Sequence, residues 1–119
     1  MQLTDARYPG GALPVDGYGP GYFRVGGKIH DGPVLVAPGQ GAIDWAGLDD
    51  QAPLLALEGA VDVLFLGMGA DIDRPPHDLV AALDQRGIMV EAMSSPSAAR
   101  SYNVLLSEGR RVACALLTV

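Results

Sequence analysis

The feature that most limits how this chain can fold is the uneven distribution of its glycine and proline residues. Eleven of the 16 glycines and five of the nine prolines lie before residue 50. This density of turn-forming residues excludes long helices from the first half of the chain. Short runs of β-forming residues lie between the turns, at positions 22–25, 28–30 and 33–37. The first half is therefore predicted to consist of short strands.

Two-residue linkers separate these runs and predict how the strands connect. Gly26-Gly27 and Asp31-Gly32 are linkers of the type that closes tight hairpins, because such turns need positive φ angles. We therefore predict a three-stranded meander over Tyr22–Ala37. A further extended segment is expected at Ala42–Trp45.

In the second half of the chain, continuous apolar runs alternate with helix signals. Ser95 as N-cap followed by Pro96 begins the strongest of the helices, and Asp49-Asp50 is a candidate cap for the first one. Alternating helices and strands imply a parallel or mixed sheet with right-handed crossovers in a single α/β domain, residues 1–119. The predicted elements are helix 51–58, strand 62–66, helix 76–86, strand 88–91, helix 96–107 and strand 112–117.

Composition narrows the class of function. The net charge is −6, and an acidic domain with scattered arginines repels nucleic acid and anionic membranes, so neither is an expected partner. The longest apolar stretch, 63–68, is too short to span a bilayer, and a signal peptide is not recognisable at the start of the sequence. The single cysteine, Cys114, can form no internal disulfide and belongs to no zinc-ligand set. We expect a cytoplasmic protein with no cofactor and no bound metal.

Three stretches of the sequence resemble a known family. They are the glycine-rich start from Gly19 to Gly27 leading to Val34–Pro38 and Trp45, the run Leu64–Gly69, and the C-terminal run from Glu91 to Ala113. Together they are similar to the MTH-type domain-of-unknown-function family, which includes a mitochondrial complex I (NADH dehydrogenase) assembly factor and an adipogenesis-associated domain protein. The resemblance covers nearly the whole chain.

The resemblance implies both a fold and a role. The implied fold has three layers: a mixed, mostly parallel central sheet of about five strands, helices on its faces, and an extra β-hairpin layer. The implied role is help in assembling a respiratory or membrane protein complex, without catalysis. Ser94 and Ser101 stand where relatives often carry threonine. Ala99 stands where many carry cysteine, so no function based on a cysteine in that helix applies here.

A candidate ligand site lies where the last helix begins. Free backbone N–H groups and serine hydroxyls at a helix N-terminus can hold an anion, and open α/β sheets bind ligands at the carboxyl ends of their strands. The same residues also fit a plain helix start and a tight turn, with Arg100 pairing to Asp71 or Asp73. The candidate ligand-binding residues are Gly67, Gly69, Ser94, Ser95, Arg100 and Asn103.

Candidate partner-binding residues lie elsewhere. Tyr18 and Tyr22 alternate with glycines, as does Tyr8, and aromatic residues on such loops can anchor an interface or simply build a hairpin. Arg111 is a candidate exposed contact. Gly67-Met68-Gly69 lacks the third glycine of a dinucleotide fingerprint, since position 72 is Ile72. We therefore predict a non-catalytic protein-binding or assembly protein, with a small anionic-ligand protein or an enzyme at the start of the last helix as the alternative.

Overall fold

The computed structural model describes residues 12–71 and 73–119, which form two β-sheets and three helices. The small sheet consists of β1 (Val15–Gly19), β2 (Tyr22–Val25) and β3 (Lys28–Asp31). The large sheet consists of β4 (Val34–Ala37), β5 (Gly41–Asp44), β6 (Val63–Gly67), β7 (Met89–Met93) and β8 (Val112–Leu116). The helices are α1 (Ala52–Leu55), α2 (His77–Gln85) and α3 (Ser95–Ser107).

The meander predicted over Tyr22–Ala37 is wrong in its third strand. The chain leaves the small sheet after Gly32, which has a φ of 84°, and its next strand, β4, lies in the large sheet between β5 and β8. All four β4 residues are buried, so this strand needs cover on both faces. The third strand of the small sheet is β1, antiparallel to β2. β1 was not predicted from the sequence because two of its five residues are glycines, which are poor strand formers.

The large sheet is mixed, as predicted, and its strand order is β5-β4-β8-β6-β7. β6 is parallel to both β7 and β8, whereas β4 is antiparallel to both β5 and β8. Four of the five strands therefore share one direction, and β4 alone opposes them. The carboxyl ends of β6 and β7 lie side by side, where Gly67 pairs with Met93.

Alternate residues of the large sheet fill two separate cores, which makes the fold three layers deep. Phe65 and Cys114 face a core shared with the small sheet and α3, where Phe23 and Tyr102 are buried. Leu64, Leu66 and their neighbours face the opposite core, which α1, α2 and the Trp45 ring cover. The predicted three-layer α/β fold is confirmed.

The first helix is shorter than predicted and is capped differently. Its N-cap is Gln51, without a side-chain hydrogen bond. Asp50 instead serves the loop that follows β5: its carboxylate accepts from the Ala46 N–H at 3.1 Å, and its carbonyl accepts from the Trp45 indole N–H at 2.9 Å. The prediction that Asp49-Asp50 caps the helix is therefore wrong, because the Asp50 carboxylate is hydrogen-bonded to the Ala46 N–H in the preceding loop.

Candidate functional site

The first turn of α3 lies at the carboxyl ends of β6 and β7, as the topology predicted. Its N-cap is Ser94, one residue earlier than expected: Ser94 is extended, and its hydroxyl accepts a hydrogen bond from the Ser97 N–H at 3.4 Å. Ser95 is already helical, so the prediction of Ser95 as N-cap is wrong by one residue.

Ser95 is fully buried and joins three segments of the chain. Its hydroxyl donates to the Leu117 carbonyl at 2.5 Å and accepts from the Gly69 N–H at 2.9 Å, while its own N–H donates to the Gly69 carbonyl at 2.7 Å. The single hydroxyl proton is therefore committed to Leu117. These bonds hold the start of α3 against the loop after β6 and the chain after β8.

The two glycines beside Ser95 allow this close approach. A Cβ atom added at Gly67 would lie 2.6 Å from the Ser95 Oγ and 2.7 Å from its Cα, inside contact distance. Gly69 has a φ of 93°, which favours glycine. Gly67, Gly69, Ser94 and Ser95 thus meet as predicted, but the polar groups described above are engaged within the fold. Anion binding by these four residues stays a prediction.

Asn103, two turns further along α3, holds the edge strand of the small sheet. Its side-chain amide donates to the Val15 carbonyl at 2.7 Å, and its side-chain oxygen accepts from the Val15 N–H at 2.9 Å. The neighbouring Tyr102 hydroxyl donates to the Leu13 carbonyl at 2.7 Å. These bonds between groups 88 or 89 residues apart fix β1 beside α3.

The space between β1 and α3 is a cleft of about 240 Å³. It brings together Arg100 and Asn103, which the sequence analysis selected as ligand-binding candidates, and Tyr18, which it selected as a partner-binding candidate. Tyr18 is half exposed, although the strand register places it on the same face of the small sheet as buried Phe23. Its ring therefore lies at the open rim of the core. The remaining lining residues are Val15, Asp16, Gly17, Pro96 and Ala99.

Arg100 provides the uncompensated charge of this cleft. It is exposed, and within residues 12–71 and 73–119 its guanidinium forms no hydrogen bond or ion pair, including the predicted pairing with Asp71 or Asp73. Asp16, the acidic residue of the cleft, is neutralised by Arg24 at 3.0 Å and also accepts from the Gly27 N–H at 3.0 Å. Among the described residues, the cleft therefore offers the Arg100 guanidinium as an unpaired cation beside a half-exposed aromatic ring.

The other two candidate partner-binding residues lie outside this cleft. Tyr22 faces the opposite side of the small sheet, where its ring covers Gly19, so that a Cβ there would lie 2.4 Å from the ring. Arg111 lines a second cleft, of about 250 Å³, near the end of α3. Its guanidinium donates to Asp62 at 2.6 Å and to the Gly59 carbonyl at 2.9 Å. That hydrogen bond lowers the pKa of the Asp62 carboxyl. Partner binding by Tyr22 and Arg111 stays a prediction.

The possible metal ligands and the single cysteine are the other chemically capable residues of the described part of the chain. No group of three or more His, Cys, Asp or Glu side chains there is close enough to hold a metal ion. Cys114 is fully buried in β8, and desolvation raises the pKa of its thiol well above the usual range, which keeps it protonated. Tyr8, the third tyrosine of the glycine-rich region, lies outside the described residues.

Sequence reasoning missed how the cleft is built. It did not predict β1, the Asn103 pairing with Val15, or the ion pair between Asp16 and Arg24. The ion pair depends on the β-bulge register that places Gly17 opposite Arg24 and leaves room for the arginine side chain across the strand. This register can be inferred only once β1 is known, so the sequence alone provided no signal for the pair.

The sequence profile of a family described as "Protein of unknown function (DUF498/DUF598)" matches residues 15–117. The chain belongs to this family. An uncharacterised protein of Rhodobacter capsulatus is 57% identical over 93% of this chain and 90% of its own length. NADH dehydrogenase [ubiquinone] 1 alpha subcomplex assembly factor 3 of Danio rerio is 32% identical over 84% of this chain, but the match spans only 61% of that protein. The family named from the sequence is confirmed.

Solved structures agree with this assignment. A Bartonella henselae crystal structure described as an outer membrane protein superimposes with a TM-score of 0.82 at 34% identity, covering 94% of this chain and 99% of that one. A Bordetella pertussis protein described as an Mth938-like domain gives a TM-score of 0.76 at 26% identity, covering 98% and 89%. In the described part of this chain, none of the helices has the length and apolar character needed to cross a bilayer.

Proposed function

We propose that this chain is a non-catalytic binding protein that assists the assembly of a respiratory or membrane protein complex, and that it recognises its protein partner through the cleft between β1 and α3. The observation that carries the proposal is the convergence of Tyr18, Arg100 and Asn103 at this cleft. Tyrosine and arginine are enriched among the residues that contribute most to protein–protein binding. The named relatives supply the biological direction, since several are complex I assembly factors.

The cleft has the rigidity that a binding site requires. The paired bonds from Asn103 to Val15 and the bond from Tyr102 to Leu13 hold β1 against α3 in the absence of any partner. A preformed site loses less conformational entropy when it binds. Tyr18 on β1 and Arg100 on α3 can therefore contact a partner without a movement of β1 relative to α3.

A small anionic ligand is the second candidate, and one observation favours it. The unpaired Arg100 guanidinium would attract a carboxylate or phosphate wherever that group came from. The cleft is shallow, however, and the nearby serine, Ser95, is fully buried and already bonded to Leu117 and Gly69. Few polar groups thus converge on one ligand atom, whereas small-molecule sites need several.

Site-specific photo-crosslinking in living cells tests the main proposal. The aromatic photo-crosslinker p-benzoylphenylalanine replaces Tyr18, and the control chain carries it at Met89, which is 58% exposed on β7 and does not line the cleft. We expect a discrete cross-linked protein from position 18 and none from position 89. Equal labelling at both positions, or no product at position 18, would contradict the proposal.

A further inference from the structure

The cleft contains an open strand edge as well as side chains. Within residues 12–71 and 73–119, β1 pairs with β2 on one side and with no strand on the other. Gly19 and Tyr22 close the hairpin, so the next pair, Tyr18 and Phe23, is of the non-hydrogen-bonded type. The backbone N–H and C=O of Tyr18 therefore point away from β2, toward the open edge of the strand.

Asn103 shows what this edge accepts. Its carboxamide gives Val15 one donor and one acceptor, so it makes the same two bonds that one residue of a neighbouring antiparallel strand would make. The helix thus supplies a substitute for a neighbouring strand at Val15 but none at Tyr18. The Asn103 side chain also ends the open edge, so a chain segment can reach Tyr18 only from the side of the Gly19 turn.

The charge in the cleft specifies what such a segment carries. Asp16 is neutralised by Arg24, and Arg100 has no partner within the described residues. The net charge of the whole protein is −6, so the molecule as a whole repels acidic segments, and the Arg100 guanidinium is the group lining this cleft that would attract one. A carboxylate placed beside β1 would gain a charge-assisted hydrogen bond to the guanidinium, whereas a lysine there would be repelled.

We infer that the cleft binds an extended partner segment that adds to the edge of β1 at Tyr18 and presents an aspartate or glutamate to Arg100. Strand addition at an open sheet edge is an established mode of peptide recognition, in which backbone bonds give affinity and side-chain contacts give specificity. The half-exposed Tyr18 ring provides apolar contact beside the carboxylate. This inference rests on the proposed function and names the chemistry of the partner.

Three pools of random nine-residue peptides test the inference, with the central residue fixed as glutamate, glutamine or lysine. We expect the full chain to bind the glutamate pool best and R100Q to bind that pool about tenfold more weakly. R110Q is the matched control, because it removes the same charge beyond the far end of α3, and we expect it to stay within about twofold of the wild type. Equal binding of all three pools, or equal loss in both variants, would overturn the inference.

A second arm tests the backbone contact. N-methylation of alternate residues in a selected peptide should abolish binding in one of the two patterns and spare it in the other, because only alternate residues face a neighbouring strand. Equal effects of both patterns would exclude strand addition. The outcome in cells separates the two proposals: if R100Q keeps the cross-link from position 18, the acidic-segment inference is wrong while the binding function stands; if position 18 gives no cross-link, the binding function itself is wrong.

Discussion

The first turn of α3 and the turns that follow it differ in how completely the fold uses their polar groups. At the start of the helix, Ser95 is fully buried and its hydroxyl is bonded to Leu117 and Gly69. Farther along the same helix, Arg100 is exposed and unpaired within the described residues, beside the half-exposed Tyr18. The serines at the helix N-terminus suggested a ligand site, but the unpaired charged group lies about one turn later in the helix.

This contrast shows why a helix start is a weak indication of function. The hydrogen-bonding groups that would attract an anion at a helix N-terminus are also the groups that pack a helix onto the end of a sheet. Gly67 and Gly69 allow that packing, so the glycines and serines of this pattern serve to pack the helix against the sheet. An unpaired charge beside an aromatic ring has no such structural role.

Gly67→Ala should cause the largest loss of stability. The added methyl group would overlap Ser95 and lie 2.8 Å from Leu116 Cδ2, so the helix and the sheet must separate, and we expect a loss of about 3 kcal/mol in the free energy of unfolding. Gly17→Ala is the control, because the nearest atoms to its methyl group would be those of the Arg24 side chain, the first at 3.3 Å. Denaturant unfolding compares the two variants. Equal losses would contradict the tight contact at Gly67.

Ser95→Ala should have the next largest effect. It leaves the Gly69 N–H and the Leu117 carbonyl without a hydrogen bond in a buried site, which should lower the free energy of unfolding by about 2 kcal/mol. Ser94→Ala removes only a long capping bond to Ser97 and should cost about 0.5 kcal/mol. The reverse ranking in urea titrations would show that the cap, not the buried hydroxyl, holds the start of the helix.

Asn103→Asp tests the attachment of β1 to α3. The carboxylate can still accept from the Val15 N–H, but it can no longer donate to the Val15 carbonyl and is repelled by it. We expect a loss of about 1 kcal/mol in the free energy of unfolding and faster hydrogen exchange at Val15. Unchanged exchange at that amide would mean that the Asn103 side chain does not hold the strand.

Asp62→Asn should give the smallest effect and a recognisable dependence on pH. The Arg111 hydrogen bond lowers the pKa of folded Asp62 below its unfolded value of about 3.9, so the ionised carboxylate stabilises the fold above that pH and the contribution is lost as the pH falls through the folded pKa. The difference in unfolding free energy between wild type and variant should therefore be present at pH 7 and shrink below about pH 4. A difference that grows in acid would contradict the ion pair.

Most of the architecture could be predicted from the sequence, because the second half of the chain carries strong local signals. The apolar run in β6, the proline at the start of α3 and the glycines at positions 87 and 109 identified every helix and strand after residue 62, within a few residues. The first half was harder. β1 has no continuous apolar run, and β4 follows a hairpin-like linker although it belongs to the other sheet.

The residues of the candidate site could be predicted from the sequence, but their proximity in the folded chain could not. Arg100 and Asn103 were selected from the last helix and Tyr18 from a glycine-rich segment, with no sequence signal that they meet. Their proximity depends on the pairing of Asn103 with Val15 across 88 residues, and such long-range contacts leave no periodic pattern. The Ser95 bonds were hidden for the same reason, since Leu117 lies 22 residues away.

We claim that the first turn of α3 stabilises the fold, whereas Arg100 in the next turn binds the partner. Measuring both the unfolding free energy and the cross-linking of Arg100→Gln tests this claim. The unfolding free energy of this variant should stay within about 0.5 kcal/mol of the wild type, because the guanidinium is exposed and unpaired in the described structure. In cells, the cross-link formed from position 18 should fall to the level seen from position 89. A variant that loses stability while keeping the full cross-link would show that Arg100 serves the fold rather than the partner.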